Sequence, residues 1–395
     1  MKITVTGMVI GLAIMALNAP DVKAQEALGG EAEVISPEVN DDKTVTFRLK
    51  ADNANEVKLA GDWMPGEGWQ PGTADLVQNS EGIWTYTTDV MPSDLYTYFY
   101  LIDGLRTNDP HNVHMVRDVA SIFNLFLVED GQGDLYKVND VPHGTVSRRW
   151  YDSPGNDKQR RITMYTPPGY ESGDEEYPVL YLMHGMGGDE EAWVALGRTT
   201  QILDNLIARG ETKPMIVVMA NGNVAQQATP GESAKGFYQP TMQLPNTMDG
   251  KMEATFPDIL NFVEDNYRVK KEKAGRAIAG LSMGGFHSLH ISRYYPDTFN
   301  YVGLFSPAIM PGDDATSKVY ENMDETLQRQ KQNGYELYWI AIGKTDFLFD
   351  QVVGFRKKLD ELGMPYEYRE SEGGHTWRNW RNYLTEFTPM LFKEN

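Results

Sequence analysis

Two folding patterns follow one another along this sequence of 395 residues, and together they predict an α/β unit preceded by a β-sandwich. Three observations carry that prediction. Between Thr44 and Asp130, short aromatic-rich runs alternate apolar and polar residues with period two, as half-buried strands do. After Asp130-Gly131-Gln132-Gly133-Asp134, apolar strands alternate with helical segments, the pattern of a parallel sheet covered on both faces. No internal repeat or low-complexity tract interrupts either region.

Composition sets outer bounds. A hydrophobic fraction of 41% with 23% charged residues suits a globular chain with a packed core. The net charge of −20 repels phosphate backbones and argues against a nucleic-acid partner. The absence of cysteine removes disulfides, thiolate catalysis, iron–sulfur clusters and cysteine-ligated zinc, together with the anchor residue of a bacterial lipoprotein.

In chain order, residues 1–24 read as an export signal. Lys2 is basic, residues 3–17 are apolar, and Val22-Lys23-Ala24 places small residues at a cleavage site. The apolar run is short for a membrane span, and no second one follows. A soluble exported protein, periplasmic or secreted and without a membrane partner, is expected. Residues 25–43 are polar and acidic and read as a linker.

Strands at 45–50, 57–60, 83–86, 95–101 and 121–127, separated by Gly, Asp, Pro and Asn clusters, place an immunoglobulin-like sandwich over 44–130. In the second domain, 140–395, strands fall at 145–151, 160–166, 179–183, 215–220, 276–280, 301–305, 337–342 and 366–369. Helices fall at 199–208, 253–266, 284–295, 315–332, 350–362 and 376–392. Eight strands, the first two antiparallel, are the count of an α/β-hydrolase.

The strongest chemical signal is Gly280-Leu281-Ser282-Met283-Gly284, continued by Gly285. A buried strand leads in and a helix leads out, the setting of a nucleophile elbow. Glycines flank the serine because side chains there would collide. Ser282 then stands at a helix N-terminus whose dipole favours developing negative charge. A serine hydroxyl needs a base and the base an orienting acid, in the chain order Ser, acid, His on this fold. His287 and His290 ride away on the helix after the elbow, which leaves His375 as base. Asp346, at the end of strand 337–342, is the acid. Asp350 is the alternative, and its position suits a helix cap.

Two backbone N–H groups must face the developing oxyanion. Met283 supplies one. The loop His184-Gly185-Met186-Gly187-Gly188 supplies the other, through Met186, with Gly185 and Gly187 as alternatives. His184 braces that loop. His111-Asn112-Val113-His114 lacks carboxylate company and reads as a loop, so no metal or other cofactor is expected.

Four segments together resemble carbohydrate esterase family one, the feruloyl and acetylxylan esterases related to enterochelin esterase and esterase D. They are Val141-Pro142-His143-Gly144-Thr145-Val146, Tyr165-Thr166-Pro167-Pro168-Gly169-Tyr170, the Gly280–Gly285 elbow, and Gly373-Gly374-His375-Thr376-Trp377-Arg378-Asn379-Trp380-Arg381. The resemblance covers residues 140–395 and implies the same triad, Ser282, Asp346 and His375. It implies an exported serine esterase releasing hydroxycinnamates from arabinoxylan. Acetylxylan and siderophore esters are the alternatives, and a non-catalytic carbohydrate-binding protein is the alternative of another class. The partners implied are plant cell-wall esters, feruloylated or acetylated xylan.

Leu59-Ala60-Gly61-Asp62-Trp63 and Asp103-Gly104 resemble sandwich modules of the glycogen- and starch-binding type. Trp63, Trp69 and Trp84 are then either sugar-stacking or core residues. Phe237 and Tyr238, on a long Gly/Pro-rich segment, and Trp377 are expected to wall the acyl group.

Overall fold

The computed structural model describes residues 34–66, 71–312 and 315–393. The expected export signal, the first part of the expected linker and Trp69 lie outside the described residues.

Among the described residues, ten strands make the N-terminal region: β1 (Glu38–Val39), β2 (Val45–Lys50), β3 (Val57–Gly61), β4 (Thr73–Asp75), β5 (Val77–Gln78), β6 (Ile83–Thr87), β7 (Asp94–Ile102), β8 (Leu105–Thr107), β9 (Met115–Asp118) and β10 (Ser121–Val128). They form two antiparallel sheets, ordered β1-β2-β6-β5 and β4-β3-β7-β10-β9, with β8 on β7. Alternation sends Val45, Phe47 and Leu49 of one sheet and Tyr96, Tyr98 and Tyr100 of the other into one shared core.

One reading of this region is corrected and one open alternative is decided. The stretch from 34 to 43 is not linker. Val34 and Ser36 are buried, Ser36 donates a 2.7 Å hydrogen bond to Asp109, and β1 pairs with β2. A two-residue strand leaves no periodicity for a sequence to display. Of the two alternatives for Trp63 and Trp84, the structure places both in the core. The Trp63 ring packs on Phe47, Tyr96 and Phe126, and Trp84 is buried with its indole donating to Ala51 O at 2.9 Å.

The C-terminal domain holds eight strands: β11 (Thr145–Ser153), β12 (Lys158–Thr166), β13 (Val179–Met183), β14 (Ile216–Ala220), β15 (Arg276–Leu281), β16 (Tyr301–Phe305), β17 (Leu337–Gly343) and β18 (Glu367–Ser371). Their order is β11-β12-β14-β13-β15-β16-β17-β18. β12 pairs antiparallel with both its neighbours, and the pairings from β14 to β18 are parallel. β13, β14, β16 and β17 are buried at every position, because helices cover both faces of a parallel sheet. Along β13, Val179, Tyr181 and Met183 enter one core, while Leu180 and Leu182 enter the other.

The helices are α1 (Ala192–Ala195), α2 (Thr199–Ala208), α3 (Lys251–Ala254), α4 (Phe256–Asn266), α5 (Met283–Tyr294), α6 (Met323–Asn333), α7 (Phe349–Glu361) and α8 (Trp377–Phe387). The helix expected over 253–266 is split, since Pro257 has no N–H to extend α3. The one expected over 315–332 begins late, after Asn322 turns left-handed at φ 52°. The last one stops at Phe387, ahead of a short 3₁₀ turn. Among the described residues no helix is long and apolar enough to cross a membrane.

The two regions share a core. Leu95 of β7 joins the cluster beneath α8, as do Leu135 and Tyr136 from the connection after β10. Polar contacts reinforce this joint: Tyr136 donates to Asn382 at 2.7 Å, and Arg198 donates to Tyr136 O at 2.9 Å.

Candidate active site

The site begins with a backbone that only tight packing can hold. Ser282, between β15 and α5, has φ 53° and ψ −115°, an unfavourable conformation for a residue with a side chain. Its N–H donates to Phe305 O on β16 at 2.9 Å, and its carbonyl accepts from Phe286 N at 3.0 Å and Ala308 N at 3.1 Å. The strained residue is thus fastened on both sides. The glycines are forced by contact. A Cβ on Gly284 would stand 2.2 Å from Met183 O, and one on Gly280 would stand 2.5 Å from the Gly284 backbone. Ser282 is partly exposed, while Met283 opens α5 fully buried.

The loop after β13 closes over the elbow. A Cβ on Gly185 would lie 2.5 Å from Leu281 Cδ1 and 3.3 Å from the Ser282 Cβ, so this backbone packs directly on the elbow. Gly188 N donates to Gly185 O at 3.1 Å and makes a tight turn, with Met186 partly exposed on it. His184 is buried behind the turn. Gly222 N donates to its Nε2 at 2.8 Å, which fixes the proton on Nδ1, 2.7 Å from Gly185 O. Burial lowers this imidazole to about 4, so it is neutral near pH 7.

His375 and Asp346 meet. His375 Nδ1 lies 2.9 and 3.0 Å from the two Asp346 carboxylate oxygens. A carboxylate can only accept, so Nδ1 carries the proton and Nε2 is left as the basic nitrogen. Asp346 is buried and also accepts from Leu348 N at 2.9 Å. The two loops are stitched together: Thr345 N donates to Gly373 O at 3.0 Å, and Asn379 donates to Gly374 O at 2.9 Å. Asp350, the alternative acid, sits exposed in the first turn of α7. His287 and His290 are buried: His287 pairs with Glu253 at 2.8 Å, and His290 faces Ile309 O at 3.1 Å.

The aromatic surroundings differ in part from expectation. Phe237 is fully exposed, and Tyr238 accepts a 3.0 Å hydrogen bond from Gln226. Trp377 stands edge-on to Trp193 at 5.4 Å and to Trp380 at 5.2 Å, and Trp380 stands edge-on to His375 at 4.8 Å. Sequence reasoning missed Phe347, whose largely exposed ring lies 4.5 Å from the His375 ring. Its adjacency to Asp346 was the available signal. Asn379 was missed as well, and so was the hairpin tip of the N-terminal region. There a Cβ on Gly187 would stand 2.8 Å from Val119. No pattern in the sequence points to that contact.

Comparison with known proteins follows the same division of the chain. Residues 153–391 match the family model described as "Putative esterase". An endo-1,4-beta-xylanase/feruloyl esterase of Xylanibacter ruminicola is 30% identical over 368 residues, which is 90% of this chain and 46% of that protein. The chain therefore spans just under half the length of that relative. An acetyl esterase of Caldicellulosiruptor saccharolyticus is 23% identical over 55% of this chain and 85% of its own. Among solved structures, a ferulic acid esterase superposes with TM-score 0.50 at 27% identity, covering 62% of this chain and 97% of that one. An enterobactin esterase from Shigella flexneri shares the fold over 88% of this chain and 92% of its own, with TM-score 0.60 at 15% identity.

Proposed function

Since the chain belongs to the esterase family, we propose that it is a serine carboxylic-ester hydrolase that releases hydroxycinnamates such as ferulate from arabinoxylan side chains. The observation that carries the reading is the His375–Asp346 pair, placed in the chain order that follows a strained serine elbow. Ser282 attacks the ester carbonyl while His375 Nε2 takes its proton. Asp346 holds the ring and stabilises its charged form. The N–H groups of Met283 and Met186 receive the oxyanion. His375 returns the proton to the leaving sugar alcohol, and water then releases the acid by the same steps in reverse.

The feruloyl assignment draws on the 30% identical relative and on the aromatic residues around the site. Trp377 and Tyr238, with Phe237 at the rim, wall the acyl ring. Acetyl-ester hydrolysis is the second reading, favoured by the similarity to an acetyl esterase. The N-terminal sheets fit an immunoglobulin-like sandwich of the glycogen- and starch-binding type, and residues 1–24 an export signal. Comparing kcat/KM on methyl ferulate, an aryl acetate and acetylxylan tests the substrate. Activity confined to acetyl esters would overturn the feruloyl reading. An uncleaved N-terminus on protein recovered outside the cytoplasm would overturn the signal.

A further inference from the structure

A cavity of about 530 Å³ lies where the β9–β10 hairpin meets the C-terminal domain. Its walls include Arg117, Asp118 and Val119 of the hairpin, Arg148 of β11, Gly188 of the turn over Ser282, and Ala195 of α1. We propose that this cavity is the subsite for the sugar carried by the ester, so that the N-terminal region reads the leaving alcohol directly. The proposal rests on the hydrolase reading above and specifies which part of the substrate the second domain contacts.

The proposal rests first on position. Gly188 closes the turn that starts at Gly185, and a Cβ on Gly185 would stand 3.3 Å from the Ser282 Cβ. The cavity therefore shares Gly188 with the turn that packs on Ser282, and Val119, which meets Gly187 of the same turn, is part of its wall.

The hairpin tip comes second. Ser121 pairs with Asp118, which leaves Val119 and Ala120 as a two-residue turn. Val119 holds φ 50° there, where a β-branched residue is disfavoured and Asn-Gly is the usual choice. A turn built against its own preference, with its side chain set on the catalytic loop, indicates a task for that side chain.

Charge comes third. Arg117 bonds Asp189 and, at 2.9 Å, Thr229, while Arg148 grips Glu191 through two bonds of 2.7 and 2.8 Å. Arginine and carboxylate groups alternate around the wall, so no single-sign field selects a strongly anionic or cationic ligand. A neutral polyol offers donors and acceptors together and matches such a wall. Asp118, also on the wall, is partly buried among these groups, and burial pushes its carboxyl upward, toward the neutral form that can donate as well as accept.

The test compares a feruloylated arabinoxylo-oligosaccharide with methyl ferulate. Two variants probe the cavity in ways that spare the fold. Val119→Asn combined with Ala120→Gly gives the turn its preferred residues and removes the Val119 side chain from the wall. Ala195→Trp fills the space from an exposed position. The expected result is a fall of about fivefold or more in the ratio of oligosaccharide to methyl-ester kcat/KM for both variants. An unchanged ratio in both, with methyl ferulate still hydrolysed by the unaltered protein, would overturn the subsite alone. Failure of the unaltered protein on both feruloyl substrates would overturn the substrate reading, and the sugar subsite with it.

Discussion

Asp94, the first residue of β7, accepts a 3.0 Å hydrogen bond from Nε of Arg378, three residues after His375. Arg381, one turn further along α8, lies 3.6 Å from the same carboxylate and bonds Leu95 O at 2.5 Å. Asp94 and Arg381 are buried. The N-terminal region therefore holds the helix that follows directly on the His375 loop.

Removing one partner of a buried ion pair leaves the other charge uncompensated. Asp94→Ala is expected to cost about 3 kcal/mol of stability, read as a lower urea midpoint. It should also lower kcat more than it raises KM, because α8 is displaced rather than the substrate lost. A change in KM alone would detach this joint from the catalytic loop.

Ser282→Ala should abolish turnover, at least about 10³-fold, while leaving the thermal midpoint near its original value. His375→Ala should be comparably severe, since members of one catalytic unit are not additive. Stopped assays with calorimetry on both variants check this, and near-normal turnover by Ser282→Ala would remove the elbow from the chemistry.

Asp346→Asn should lower kcat by roughly 10²–10⁴ through loss of the correct tautomer and charge stabilisation on His375. Asp350→Asn, altering an exposed side chain, should change it by less than about twofold, the usual result of a surface substitution. The reverse ranking in paired kinetics would transfer the acid role to Asp350.

Gly284→Ala puts a methyl group 2.2 Å from Met183 O, where backbone must move. A destabilisation of about 3 kcal/mol is expected, measured by urea unfolding. Wild-type stability would mean that the elbow and β13 leave room for a methyl group.

Buried His184 gives the stability a pH slope. Burial lowers its folded-state value to about 4, whereas the unfolded chain titrates near 6.5. Between those values the unfolded state binds a proton that the folded state refuses. Its contribution, about 3 kcal/mol over the whole window, is present above 6.5, lost as pH falls to 4, and flat below. Unfolding curves at pH 7 and 4.5 should differ less in His184→Gln than in the unaltered protein. An equal difference in both would assign the slope to other groups.

The sequence by itself determined the two-region order, the eight-stranded sheet and the strand–turn–helix elbow, and it proposed Ser282, Asp346 and His375 as the candidate triad. Each is written in local signals: period-two and strand–helix alternation, a Gly-x-Ser-x-Gly turn, and the order of three residue types along one fold. Only tertiary structure decided that Trp63 and Trp84 fill a core, that Phe347 and Trp380 flank His375 while the Phe237 side chain is exposed, and that Asp94, Arg117 and Val119 reach the C-terminal domain. These depend on contacts between residues tens to hundreds of positions apart. Such contacts leave no periodicity, because burial against another domain is set by how two finished surfaces meet.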